Sequence, residues 1–487
     1  MELENISFGD RVAENESRKL ISYFVKTQHW NAVYKGDVDI VFGAKGSGKS
    51  ALYTLLLSRA DEFKKNGIIL ISAEKPTGKT VFSDIIATPP TRENEFITLW
   101  KTYFCQLIVG WLIDNKKCHD EADDIAEILK GAGLLEETRT LARFINSAKE
   151  FASRLLNPQS LEGTIDTTGS VTGKITFNTP TEKQRGLGYK SLDELLESLN
   201  KFLLKNKLDF WLLCDRLDVA FDESLDLEKN ALRALFKVYR DIEEHEKIHL
   251  KIFLRDDIWK RITNEGFREA SHITRTTTIS WNTRNLMNLI VIRALENQEI
   301  IKKYNINPDE VKSDYDNQTK LYYDIFPKQV DVGEKQSDTF DWILNRVRDG
   351  LSKVAPRELI HYYNEIISQE LRERDINNNK AEPPNMVSRA AIKNSAFEVS
   401  RARIEQTIFA EYSNYKDCIL KLESSKAEHN LKTLSTIFGT NDKETKEIGS
   451  GLAEIGFFDL NYYKNDGLFK IPFLYRFYLK ISQGKAF

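Results

Sequence analysis

Gly43-Ala-Lys-Gly-Ser-Gly-Lys-Ser50, carried by the apolar run Asp37-Val-Asp-Ile-Val-Phe42, sets the reading of the whole chain. The octapeptide fits GxxxxGK[ST] at every required position. Each residue type answers a physical demand. Gly43, Gly46 and Gly48 let the backbone wrap closely around an anion, and successive N–H groups of Ala44, Lys45, Gly46, Ser47 and Gly48 can then point inward. The helix expected from Lys49 to about Ala60 directs its positive N-terminus at that anion. Lys49 places a cation on the β- and γ-phosphates of a nucleotide, and the Ser50 hydroxyl is a Mg²⁺ ligand. An apolar strand before the motif and a helix after it are the context the motif requires.

Working outward, further short apolar runs have strand length: 67–73 (GIILISA), 208–215 (LDFWLLCD), 250–255 (LKIFLR), with a fifth within 273–281. They are separated by helical periodicity, which indicates an α/β fold with a mostly parallel sheet covered by helices. Between the second and third runs, 96–115, 135–156 and 191–206 read as helices. Residues 163–178 (GTIDTTGSVTGKITFN) read as a hairpin or a flexible loop. Beyond the sheet, 286–301, 340–353 and 358–374 read as helices, 377–384 (NNNKAEPP) as a linker, and 395–424 as one long helix. The tail adds two helices and two short strands, at 455–460 and 467–471, resembling a winged helix. The expected division is 1–84 with 208–282 as the core, 85–207 as a mostly helical insertion, 283–376 as a helical lid, and 385–487 as the long helix plus the winged-helix-like domain.

A phosphate loop needs a second carboxylate for its Mg²⁺. Asp215 ends the apolar strand FWLLCD, as a Walker B acid does. Asp218, three residues on, is the candidate for orienting an attacking water, and Glu223 is a more distant one. Acids here could equally favour a helix N-terminus. Charge on a γ-phosphate is best neutralised by arginine. Arg255 ends the fourth strand, Arg357 opens a helix after Pro356, and Arg268 lies between the fourth and fifth strands. The bland alternative for each is a surface ion pair.

Composition bounds the rest. The chain of 487 residues is 41% hydrophobic, enough for two to four folding units, and its net charge of −3 provides no global field toward nucleic acid or anionic lipid. Residues 432–487 hold eight basic and six acidic side chains, a weak footprint for DNA, which stays a possible but unfavoured partner. Cys105, Cys118, Cys214 and Cys418 form no CxxC pair, consistent with a reducing cytoplasm. The N-terminus lacks a signal-peptide pattern. The most apolar segment, 104–113, is too short for a bilayer, so no membrane association is expected.

Taken together, Lys45-Gly-Ser-Gly-Lys-Ser50, Asp215-Arg-Leu-Asp218, Phe253-Leu-Arg255 and Ala355-Pro-Arg357 resemble the AAA+/STAND branch of P-loop ATPases. More narrowly, they resemble a bacterial family with a KGSGKS loop and a DRLD Walker B segment. The resemblance spans roughly 20–375 plus the tail. It implies a five-stranded 5-1-4-3-2 sheet, a helical lid, ATP with Mg²⁺, nucleotide-driven switching, a protein partner or effector, homo-oligomers, and a setting in bacterial signalling or phage defence. It also implies that a winged helix packs on the nucleotide domain. ATP rather than GTP comes from this resemblance and not from any base-reading residue. Many relatives place Glu after the second acid, where Val219 stands here, which separates hydrolysis from binding.

Overall fold

A computed structural model of the chain describes residues 3–11, 13–16, 20–73, 93–131, 135, 175–176, 182, 190–217, 225–264, 266–377 and 381–487. The chain forms two compact units. The sheet unit comprises Gln28–Ala44 and Lys49–Ile279, and the helical unit comprises Met1–Thr27, Lys45–Gly48 and Ser280–Phe487.

In the sheet unit, β1 (Ile40–Gly43), β2 (Ile68–Ser72), β3 (Asp209–Cys214), β4 (Ile248–Arg255) and β5 (Thr276–Thr278) form one parallel sheet. Its order is β2-β3-β4-β1-β5, which read from the other edge is the expected 5-1-4-3-2. β1 is buried along its whole length, as an apolar run covered on both faces must be. Its helices include α1 (Lys49–Ser58), α2 (Glu93–Asp114), α3 (Leu192–Lys205), α4 (Leu225–Ile242) and α5 (Asp256–Thr263). α3 starts with a capping box in which Ser191 and Glu194 satisfy each other's backbone N–H.

α2 corrects one expectation. Its stretch Phe96–Asp114 is long and apolar enough to cross a membrane, contrary to the reading of 104–113 as too short, yet 83% of the qualifying window is buried. That burial is in the sheet unit's own core, where Trp100, Phe104 and Ile108 join Leu199 of α3 and Leu235 of α4. Trp100 Nε1–H donates to the Ala231 carbonyl at 2.9 Å. The helix expected at 135–156 and most of the segment 163–178 lie outside the described residues. Ile175–Thr176 pair parallel with Lys190–Ser191, not as a local hairpin.

The helical unit has one continuous core. α6 (Thr283–Ala294), α7 (Pro356–Asn377) and α8 (Arg389–Arg403) supply Met287, Ile290, Tyr363, Ile366, Ile392 and Val399 to it. The linker signal at 377–384 therefore separates two helices of one core. Buried Glu370 ties them, accepting from Arg374 Nε (3.0 Å) and from the Ser388 amide (2.7 Å). The N-terminal segment belongs to the same core through Leu3, Ile6 and Phe8. Asn297 and Asn364 bind its backbone: the Ser7 amide donates to Asn297 Oδ1 and the Phe8 amide to Asn364 Oδ1, both at 2.9 Å.

Two other expectations change here. The single helix over 395–424 is interrupted: α8 passes into a π-turn at Ile404–Ile408 and a last turn at Phe409–Glu411 before Tyr412 leaves helical space at φ −130°, ψ 54°. The break brings the Tyr415 hydroxyl to Gly451, where a Cβ would lie only 2.0 Å from it. The strand expected at 455–460 is a turn instead. Phe457 and Phe458 are both fully buried, which the alternating faces of a strand would not allow against a single core. The tail's sheet consists of β6 (Lys426–His429) in the centre, β7 (Phe469–Lys470) antiparallel on one side and β8 (Ser482–Lys485) parallel on the other. The last two strands thus flank β6 and do not form a hairpin with each other, so this tail departs from the winged-helix expectation.

At the foot of β1, buried Asp39 is the acceptor for three side chains: Lys251 Nζ at 2.6 Å, Arg275 Nε at 2.6 Å and the Tyr239 hydroxyl at 3.2 Å. Burial pushes the Asp39 pKa up, but Lys251 and Arg275 together hold it below the usual carboxylate range. Asp39→Ala leaves the Lys251 ammonium buried without a counter-ion, so urea denaturation is expected to show a loss of about 3–5 kcal/mol. Adding Lys251→Met is expected to restore most of it. Because the folded pKa is depressed, the contribution of Asp39 is present above the ordinary carboxylate pKa and lost as pH falls through the folded value. The gap between wild type and Asp39→Ala is therefore expected to narrow in acid, and a gap that stays constant there would contradict the ionised pairing.

Candidate functional site

β1 ends at Gly43, whose register partner on β4 is Arg255. Beyond it the backbone turns through Gly46 (φ +77°) and Gly48 (φ +104°), the left-handed region that side-chain-bearing residues adopt only with strain. α1 starts at Lys49. Lys49 Nζ folds back over its own loop and donates to the Gly43 carbonyl at 2.8 Å and the Ala44 carbonyl at 3.0 Å. An ammonium thus stands across the start of the loop, next to a helix N-terminus, and Ser50 follows in the first turn of α1. Positive charge, helix dipole and a glycine-built turn meet where a sheet of this order has its topological switch point.

The helical unit binds the outer side of the loop residues Lys45–Gly48, which belong to that same unit. The Arg357 amide donates to the Gly46 carbonyl at 3.4 Å. Trp281 Nε1–H donates to the Ser47 carbonyl at 2.8 Å. Lys45 forms an ion pair with Glu411. A Cβ on Gly46 would lie 3.0 Å from Arg357 Cβ and 3.4 Å from Glu358 Oε2. Arg403 Nη1 donates to Glu358 Oε1 at 2.8 Å. Burial works against the charge of Arg403, but Glu358 and Asp349 keep its guanidinium firmly protonated. The Glu358 carboxylate is thereby compensated beside the loop.

Among the described residues, three buried polar atoms at the loop have no hydrogen-bond partner: the donor Arg357 Nε, the hydroxyl Ser47 Oγ, and the acceptor Glu358 Oε2. A buried donor left unmade costs about 1–3 kcal/mol. An anionic ligand with several acceptor oxygens fits a guanidinium donor in this position, and a polyphosphate fits the cradle as a whole.

The other sequence candidates fall as follows. Asp215 is buried one residue beyond β3. The chain turns there through Arg216, a non-glycine residue at φ +56°. Such outliers concentrate at functional sites. Asp218 and Glu223 lie outside the described residues. Arg255 sits at the N-cap position of α5 and grips Asp257 with two bonds, Nε–Oδ1 at 3.1 Å and Nη2–Oδ2 at 2.7 Å. Arg268 is exposed, in a short 3₁₀ turn at Arg268–His272. Sequence reasoning assigned no role at the loop to Trp281, Glu358 or Glu411. Only Trp281 carried a local signal, as a lone indole just before the N-cap of a helix.

No protein-family model and no curated protein matches the sequence. Solved structures that are similar at low identity include the following two. The Aeropyrum pernix ORC2 protein, solved as ADPNP–ADP complexes, is 13% identical, with 95% of this chain and 89% of that chain covered and a TM-score of 0.40. The Aeropyrum pernix ORC1 protein, solved in complex with DNA, is 11% identical, with 92% and 88% covered and a TM-score of 0.36. With superpositions this loose, the assignment of a P-loop NTPase fold rests on the sheet order and the loop backbone.

Gly46 and Gly439 offer a matched comparison. Both have left-handed φ, +77° and +73°, but a Cβ meets Arg357 at the first and nothing within 4 Å at the second. Alanine at Gly439 is expected to cost roughly 1–2 kcal/mol from backbone conformation alone. Alanine at Gly46 adds the clash and is expected to cost more by chemical denaturation. Equal losses would mean that Arg357 does not pack against Gly46.

Proposed function

We propose that this chain binds ATP with Mg²⁺ on residues 43–50 and acts as a nucleotide-dependent switch, reset by slow hydrolysis. The loop backbone carries the reading: two left-handed glycines, Lys49 folded over the loop, and a helix N-terminus behind it. In this reading Lys49 binds the β- and γ-phosphates, while Ser50 and Asp215 hold Mg²⁺. The metal, when bound, neutralises phosphate oxygens and orients them. Asp218 orients the attacking water, and Arg255 and Arg357 stabilise charge that develops on the γ-phosphate. Arg357 is the better placed of the two, because its Nε–H is buried without a partner beside Gly46, whereas Arg255 already grips Asp257.

The choice of ATP, the homo-oligomeric state, a protein effector, and a cytoplasmic role in bacterial signalling or phage defence follow the motif resemblance. They belong to the proposal on that ground.

The test is phosphate release from Mg²⁺-ATP, with Lys49→Ala as the blank and duplex DNA added to a parallel sample. Wild type is expected to release phosphate slowly and the blank not at all. Nucleotide affinity of Lys49→Ala is expected to fall by roughly 10- to 100-fold, the loss of a hydrogen bond from a charged donor. Unchanged affinity would overturn the role of Lys49. ATP binding without turnover would reduce the protein to a nucleotide-held scaffold, and turnover that rises with DNA would favour an ATP-gated DNA-binding protein.

A further inference from the structure

We propose that Trp281 is a positioning residue for the phosphate loop, aiming the Gly48 amide at the bound phosphate by fixing the Ser47 carbonyl outward. This inference rests on the nucleotide-binding reading of the loop. A trans peptide is planar, with its C=O and N–H pointing in opposite directions. The Trp281 indole N–H holds the Ser47 carbonyl at 2.8 Å. The other end of that peptide, the N–H of Gly48, must then face away from Trp281, toward the hollow of the loop. The preceding peptide follows the same rule. The Arg357 amide engages the Gly46 carbonyl at 3.4 Å, which turns the Ser47 N–H inward.

A glycine at φ +104° needs such an anchor, since nothing intrinsic to glycine holds one peptide orientation over its mirror alternative. The anchor is itself fixed. Trp281 directly precedes Asn282, the N-cap of α6, whose side chain accepts from the Asn285 amide at 2.8 Å. α6 then buries Leu286, Met287 and Ile290 in the core of the helical unit. The indole also covers the turn: its Cζ2 is 3.9 Å from where a Gly48 Cβ would stand. The ring's van der Waals cover and its N–H can therefore be separated by substitution, because Phe keeps most of the first and none of the second.

Wild type, Trp281→Phe and Trp281→His are titrated calorimetrically with Mg²⁺-ATP and with Mg²⁺-tripolyphosphate, and their melting temperatures are measured without ligand. Trp281→Phe is expected to weaken both ligands by roughly three- to tenfold, the equivalent of one neutral hydrogen bond, at an unchanged melting temperature. Trp281→His, which keeps a ring N–H, is expected to recover part of the loss. Equal affinity of wild type and Trp281→Phe for tripolyphosphate, or a loss confined to ATP, overturns the role. If Trp281→Phe does not fold, Trp281→His decides alone: near-wild-type affinity supports the role and a tenfold loss overturns it. A wild type that binds neither ligand sinks the nucleotide reading together with this one, whereas a wild type that binds both while Trp281→Phe is unaffected sinks Trp281 only.

Discussion

The position of the phosphate loop depends on one buried carboxylate, that of Asp39. The register pairs Ile40 with Ile252 on β4 and with Thr276 on β5. Asp39, Lys251 and Arg275 each precede those partners by one residue, so acid and bases lie on a single rung. The acid directly precedes β1, which runs between β4 and β5; Lys251 lies on β4, and Arg275 directly precedes β5. The backbone repeats the tie: the Asp39 amide donates to the Arg275 carbonyl and the Ile252 amide to the Asp39 carbonyl, both at 2.8 Å. A slip of one residue in either pairing would invert every side chain of β1 between the faces of the sheet. It would also separate a buried lysine from its counter-ion, which is far more costly than losing an exposed pair. Four residues later, the same register delivers Gly43 beside Arg255.

From that rung upward, the strand decides where the loop begins, and its surroundings decide how it is shaped. Glycines at 46 and 48 permit the left-handed turns but do not select them. Selection comes from donors on the outer side, the Arg357 amide and the Trp281 indole, and from Lys49 on the inner side. The electrostatic balance follows the same division. Within the helical unit, Glu358 and Glu411 are paired with Arg403 and Lys45.

Much of this was legible in the sequence, for identifiable reasons. Four of the sheet's strands are continuous apolar runs and could be read directly. The fifth, Thr276–Thr278, is polar and only partly buried and could be placed only within 273–281. GxxxxGKS states its own backbone requirement. The helix at 192–205 was legible from its helical periodicity, read over 191–206. What could not be read was set by partners remote in sequence. Nothing near Lys45 announces Glu411, 366 residues away. Periodicity alone cannot show that Tyr415 must reach Gly451 and break a helix, or that Phe457 and Phe458 are buried together in a turn. The 104–113 segment is only the most apolar part of a longer helix, which extends toward its N-terminus through Phe96, Leu99, Trp100 and Tyr103, side chains that the core also buries.

Orphaned polar groups are the last link between fold and site, and by themselves they are weak. Buried atoms without partners also occur away from the loop, at the Tyr23 hydroxyl and Arg233 Nη2 for example. What distinguishes Arg357 Nε and Ser47 Oγ is their company. Both accompany a backbone that is strained for any residue but glycine: Ser47 lies within the loop, and Arg357 lies on α7, where its amide engages the Gly46 carbonyl. A buried N–H donor without a partner is unfavourable in the free protein, and an anionic oxygen that accepts from it relieves that cost, whereas the orphaned Glu358 Oε2 is an acceptor that an anion cannot satisfy. A single carboxylate offers two such oxygens; a chain of phosphates offers more.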